Sequence, residues 1–156
     1  MALVHSPKIV TDNLVLYYDA GNTKSYPGTG TTWTDLTGNG VTGTLENGAT
    51  FNSGNGGYIV FDGANDYVST INDIVLEEED FTMGFWAFAD DVSNNNRSLA
   101  SSQTTTNWQD AGSWQISFSN SSELVMKVRN NAGDGGGSIT SNSIVSTGTW
   151  YYFVIT

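Results

Sequence analysis

FTMGFWAFA, Phe81 to Ala89, carries the reading of the fold. Read with period two, it puts Phe81, Met83, Phe85 and Ala87 on one side and Thr82, Gly84, Trp86 and Phe88 on the other. Both sides are largely apolar, so the pattern predicts a central strand covered on both faces. The last residues, TWYYFVIT (Thr149 to Thr156), repeat the signature. An exposed apolar edge is an aggregation site, so a strand of this kind calls for neighbours on both sides. That points to a longer polypeptide or to another chain covering the edge.

Working outward, short apolar or β-branched runs alternate with Gly, Asn and Asp punctuation. Leu14–Asp19, Val41–Leu45, Tyr58–Phe61, Tyr67–Thr70, Ser98–Ser102, Trp114–Ser119 and Leu124–Arg129 read as strands, the middle ones in a meander of hairpins. Ser25 to Gly40 reads as a long surface loop pinned by Trp33 and Leu36, and Asn130 to Ser138 as a flexible connection. Trp33, Trp86, Trp114 and Trp150 are expected in the core. Charged residues are only 13% of the chain and aromatics 12%, a mixture that suits strands and turns over helices. The chain is expected to be all-β, with an arm over residues 1–12 and one domain over 13–156; 156 residues suffice for one core.

The formal net charge is −11, which repels phosphate backbones and anionic membrane surfaces, so a nucleic-acid partner is not expected. Without cysteine there is neither a disulfide frame nor thiolate chemistry. MALVHSPKIVTDN lacks the apolar core of a secretory signal, and no run reaches membrane-spanning length, so membrane insertion is not expected.

IVFDGANDYVST, Ile59 to Thr70, sets Asp62 and Asp66 in a glycine-containing break. Asp62-Gly63 is a favoured turn pair, and Asn65 and Asp66 can bond nearby amides. A calcium ion asks for about six to eight oxygens, whereas three side chains are on offer here, so a turn accounts for the stretch and no metal is assigned. His5 has no nucleophile motif to serve. For sugar binding, TTTNWQDAG is the candidate: Trp108 would be the plate, with Asn107, Gln109 and Asp110 bonding hydroxyls. The competing reading folds Trp108 back as a loop anchor. No cofactor and no catalytic residue are assigned.

Taken together, NLVLYYDAGN (13–22), SYPGTGTTWTDLTGNG (25–40), GTLENGATF (43–51), YIVFDGANDYV (58–68), DFTMGFWAF (80–88) and GTWYYFVIT (148–156) resemble, in order, the concanavalin A-like, laminin G-like jelly-roll domains. The wording is most similar to the versions in bacteriophage virion proteins of the cyanophage type. The resemblance implies a two-sheet antiparallel β-sandwich, with a C-terminal closing hairpin that family members carry beyond the tryptophan-led strand and this sequence does not reach. It further implies a non-enzymatic structural or adhesion role on a virion, the chain being synthesised in the host cytoplasm, with other virion subunits or a second copy as partners and a cell-surface glycan as ligand. A free carbohydrate-binding module is the alternative, with a glycan hydrolase behind it. Glucanases of this fold use a Glu-x-Asp-x-x-Glu strand; aligned on Glu78 and Asp80, the third position here is Met83, which cannot donate a proton.

Overall fold

The computed structural model describes residues 9–72, 74, 76, 80–92, 98–102, 112–130 and 135–156. Among the described residues every paired strand is antiparallel, and the one helical turn is a 3-10 turn at Gly54–Gly56. The chain divides into two compact units, Met1–Asn72 and Asp73–Thr156.

In the first unit, strands β1 (Thr32–Trp33), β2 (Gly43–Glu46) and β5 (Tyr67–Thr70) form a sheet in the order β1-β2-β5. Between β2 and β5 the chain makes a separate hairpin of β3 (Thr50–Asn52) and β4 (Tyr58–Val60). This corrects the expected meander: β4 pairs with β3, and β2 reaches past both to pair Leu45 with Val68. Leu14–Asp19, expected as an opening strand, joins no ladder among the described residues. Its polar backbone is satisfied piecemeal instead, the Tyr17 N–H by Asp35 Oδ1 at 3.0 Å and the Tyr17 carbonyl by the Leu36 N–H at 2.9 Å. The sequence SYPGTG is pinned from inside: Ser25, 0% exposed, donates its hydroxyl to the Thr34 carbonyl at 2.7 Å and accepts from the Asp19 N–H. Trp33 holds the loop as expected, stacked on Tyr18 with ring centroids 5.0 Å apart.

Asp35 is buried and collects the Tyr17 N–H, the Thr37 N–H and the Thr37 hydroxyl. Burial alone would raise its pKa, but these donors outweigh it and hold the carboxyl below its ordinary value. Beside it, burial first and the Asp35 charge second push the Tyr18 hydroxyl up to about 12.

The second unit is a two-layer sandwich. One layer is the sheet β10-β9-β8-β7, built from β7 (Ser98–Ser102), β8 (Trp114–Phe118), β9 (Glu123–Arg129) and β10 (Gly136–Ile144). The other is the pair β6 (Met83–Phe88) and β11 (Trp150–Ile155), in register from Trp150↔Phe88 to Ile155↔Met83. Trp114, Ile116, Phe118, Leu124 and Met126 pack against Met83, Phe85, Phe153 and Ile155. Phe118 meets Phe153 edge-on across the layers at 6.4 Å, and Ile116 is fully enclosed. The all-β class and the sandwich therefore stand.

Two expectations are corrected in this unit. The flexible connection expected over Asn130–Ser138 fails at its C-terminal end, where Gly136, Gly137 and Ser138 pair with Arg129, Val128 and Lys127 in β10. Glycine serves close approach at Gly136, since a Cβ there would lie 2.1 Å from the Val128 carbonyl oxygen. The second correction concerns β6. Among the described residues it has one hydrogen-bonded neighbour, β11, and one covered face; Trp86 on the other face is 66% exposed rather than core. Of the four tryptophans expected inside, Trp114 is 6% exposed, and Trp33 and Trp150 are half-buried.

Candidate functional site

Period-two alternation, applied to two strands apolar on both faces, creates the candidate site. Of the inward set, Met83, Phe85, Tyr151, Phe153 and Ile155 belong to the core and Ala87 is half-buried, which leaves Gly84, Trp86 and Phe88 of β6 and Trp150, Tyr152 and Val154 of β11 on the outer side. Cross-strand register then stacks them in rungs. Phe88 meets Trp150 with centroids 5.5 Å apart and planes at 50°, and Trp86 meets Tyr152 at 5.2 Å and 43°. Successive rungs are two residues apart along the strand, about 7 Å. At the third rung Gly84 leaves room for the Tyr152 ring to lie across the ribbon: a Cβ there would come 2.5 Å from the Tyr152 hydroxyl oxygen.

The outcome is an open ladder of four rings, with Trp86, Tyr152 and Phe88 exposed by 66%, 56% and 43%. Neither strand contains a charged residue. Exposed Thr82 and Asp90 flank β6, and exposed Thr156 follows β11. A contiguous exposed aromatic patch of this kind marks an interaction surface more often than a scattered apolar residue does. The rings suit a sugar: their negative π-faces complement the C–H faces of a pyranose, while flanking hydroxyls and the Tyr152 phenol can meet its hydroxyl groups.

The stretch around Asp62 is a turn, as its residues suggested. Asp62 accepts from the Ala64 N–H at 2.8 Å and the Asn65 N–H at 3.3 Å, and its own N–H donates to Asp66 Oδ2 at 3.0 Å. The Ala64 N–H, with Asn65 behind it, keeps the Asp62 carboxyl below its ordinary pKa. Gly63 takes the left-handed conformation that the turn needs, with φ of 75°. Among the described residues no three His, Asp or Glu side chains come together. Asn107, Trp108, Gln109 and Asp110, the loop singled out for sugar binding, lie outside the described residues, as do Glu78 and Met1–Lys8 of the arm. Ile9 and Val10 of the arm are exposed.

Sequence reasoning missed the ladder because it assigned Trp86 to the core. One signal was available: two strands with aromatics on both faces need two covering layers, and a chain of this size with a single sandwich supplies one.

The described fold is an antiparallel β-sandwich with an open aromatic face. The profile of the Concanavalin A-like lectin/glucanases superfamily matches residues 62–156, more than half of the chain, and the chain belongs to that superfamily. Among solved structures it is similar to an S-layer domain-containing protein from Clostridium thermocellum, with 20% identity and a TM-score of 0.62. That likeness covers 86% of this chain and 60% of the other, so this chain spans less than two thirds of the neighbour's length. No curated protein matches in sequence.

Proposed function

We propose that this chain is a non-enzymatic recognition module that holds a glycan on the open face of β6 and β11, mounted on a surface or particle such as a bacteriophage tail fibre or head decoration. The observation that carries the proposal is the four-ring ladder itself, exposed on a rigid sheet rather than on a loop. Membership of a superfamily of lectins and glucanases supports a saccharide ligand, and the fold shared with an S-layer domain-containing protein suits a surface role. The acidic chain favours a neutral glycan over a sulfated or sialylated one, because like charge raises the energy of the encounter. The virion reading draws its support from the likeness of sequence wording to phage structural proteins. Partners on such a particle are other virion subunits or a second copy, with residues 1–12 as a docking arm that adds to a sheet edge.

A glycan array probed with the wild-type chain, Trp86→Ala and Tyr152→Ala tests the recognition role. Binding to neutral glycans that falls at least about tenfold in both variants is expected, one such factor corresponding to about 1.4 kcal/mol. Sedimentation of the same variants tests the rival use of this face: if the wild type self-associates, binds no glycan, and Trp86→Ala is monomeric, the ladder is a subunit contact. Trp108→Ala tests the loop that sequence favoured. Release of reducing sugar from β-glucans would overturn the non-enzymatic reading.

A further inference from the structure

A concavity lies in the first unit, where the loop 20–28 faces the 3-10 turn that follows β3. It is a recess of about 230 Å³, below the roughly 300 Å³ at which ordinary small-molecule sites begin, so it suits one ring rather than a chain. Phe51, Pro27 and Tyr26 form an apolar wall, while Thr23 and Ser53 bring hydroxyl groups to the rim. None of the lining side chains carries a formal charge, in a molecule with sixteen Asp and Glu.

The recess is preformed. Tyr26 is 3% exposed, and its ring is held by Phe51 at 5.4 Å and Trp33 at 6.5 Å, with its hydroxyl donated to the Gly30 carbonyl at 2.7 Å. The loop closes on itself through the Ser25 and Tyr26 N–H groups, both 2.8 Å from the Asn22 carbonyl. Opposite, the 3-10 turn is fixed by the Gly54 N–H on Asn52 Oδ1 at 2.8 Å. Backbone meets backbone at the floor: a Cβ on Gly21 would sit 2.0 Å from the Gly56 carbonyl oxygen, and one on Gly57 would sit 2.8 Å from the Gly21 Cα. Only glycine fits at both places, so the two backbone segments close the base of the recess directly against each other. An aromatic wall and hydroxyls at the rim, with no charged side chain among those lining the recess, are complementary to a neutral ring bearing hydroxyls on its edge and C–H groups on its face.

We propose that this recess is a binding site for a single neutral pyranose, separate from the aromatic ladder and independent of the function proposed for it. So small a contact area sets the affinity in the millimolar range.

The test is an amide and indole NMR titration of the full chain with methyl β-D-glucopyranoside, methyl β-D-galactopyranoside and N-acetylglucosamine, each to about 50 mM, well above a millimolar Kd. At least one sugar is expected to shift the amides of Thr23, Gly28, Ser53, Gly56 and Gly57 saturably. Those shifts should vanish in Thr23→Trp and in Ser53→Trp, whose indoles fill the recess from opposite sides at exposed positions, while peaks elsewhere stay put as the check on folding. They should persist in Trp86→Ala, which separates this site from the ladder, whose occupancy is read from the Trp86 indole in the wild type. Absence of recess shifts with all three sugars overturns the proposal, as does their survival in both tryptophan variants. Equal shifts from glucuronate overturn the assignment to a neutral ligand. If the recess fails while the Trp86 indole responds, the ladder reading stands alone; the converse result leaves the recess alone.

Discussion

Replacing Trp86 by alanine separates the solvent-facing ladder from the buried strand that the sequence suggested. Only about a third of the Trp86 surface is covered, since 66% is exposed. A tryptophan presents up to about 250 Å², so about 80 Å² is out of water, and at about 25 cal/mol per Å² this contributes about 2 kcal/mol. Part of that area is covered in the unfolded chain too, which lowers the expected loss to about 1–1.5 kcal/mol. For a chain of this length that is a fall of about 3–6 °C in Tm. Trp114 is the internal comparison. It is 6% exposed and donates its indole N–H to the Ile74 carbonyl at 2.8 Å, so Trp114→Ala opens a cavity and orphans an acceptor, costing about 4–5 kcal/mol. Thermal and urea melts of the two variants, followed by circular dichroism, make the comparison, and acrylamide quenching gives an independent readout. Trp86→Ala should remove a readily quenched, red-shifted component of the emission, whereas Trp114 should be shielded. Equal destabilisation by the two substitutions, or loss of no quenchable component in Trp86→Ala, would mean that a covering layer hides the ring, and the candidate site would be gone.

Gly136→Ala should slide or fray the β9–β10 pairing, because the new methyl meets the Val128 carbonyl; a loss of about 2–3 kcal/mol by urea melt, with faster amide exchange in 136–140, is expected. Asp35 is more acidic folded than unfolded, so its contribution is fully present above its ordinary value of 3.8 and is lost as pH falls through the depressed value. The wild type should therefore lose more stability than Asp35→Asn between pH 5 and pH 2, as measured by chemical melts at each pH, and Asp35→Ala should cost about 2–4 kcal/mol at neutral pH by leaving buried N–H groups unpaired. If Asp62 only turns the chain, Tm should be the same in calcium and in a chelator, and Asp62→Ala should lower Tm slightly without changing that; a calcium-dependent rise lost in Asp62→Ala would revive the metal reading.

The class, and the positions of the strands other than β10 and the short β1 and β3, were legible because they rest on local physics, although Leu14–Asp19 reads as a strand and is not one. Short β-branched and aromatic runs, broken where Gly, Asn and Asp admit a positive φ, leave strands as the only compact solution, and the turn at Asp62-Gly63 followed from the same chemistry. Pairing was not legible. That β2 closes on β5 around an inner hairpin, and that Leu14–Asp19 bonds to Asp35 instead of a strand, depends on partners some twenty residues away, which no local pattern specifies. The candidate site was the least legible of all. Alternation in FTMGFWAFA divides its residues into two sets without saying which set meets another layer, because hydrophobicity measures the gain from burial and not whether a burying surface exists. Residue pattern alone makes β6 and β11 strands with two apolar faces. That Phe85 and Phe153 enter the core while Trp86 and Tyr152 face water follows from packing, since the sheet of β7 to β10 covers one side of the ribbon and leaves the other open.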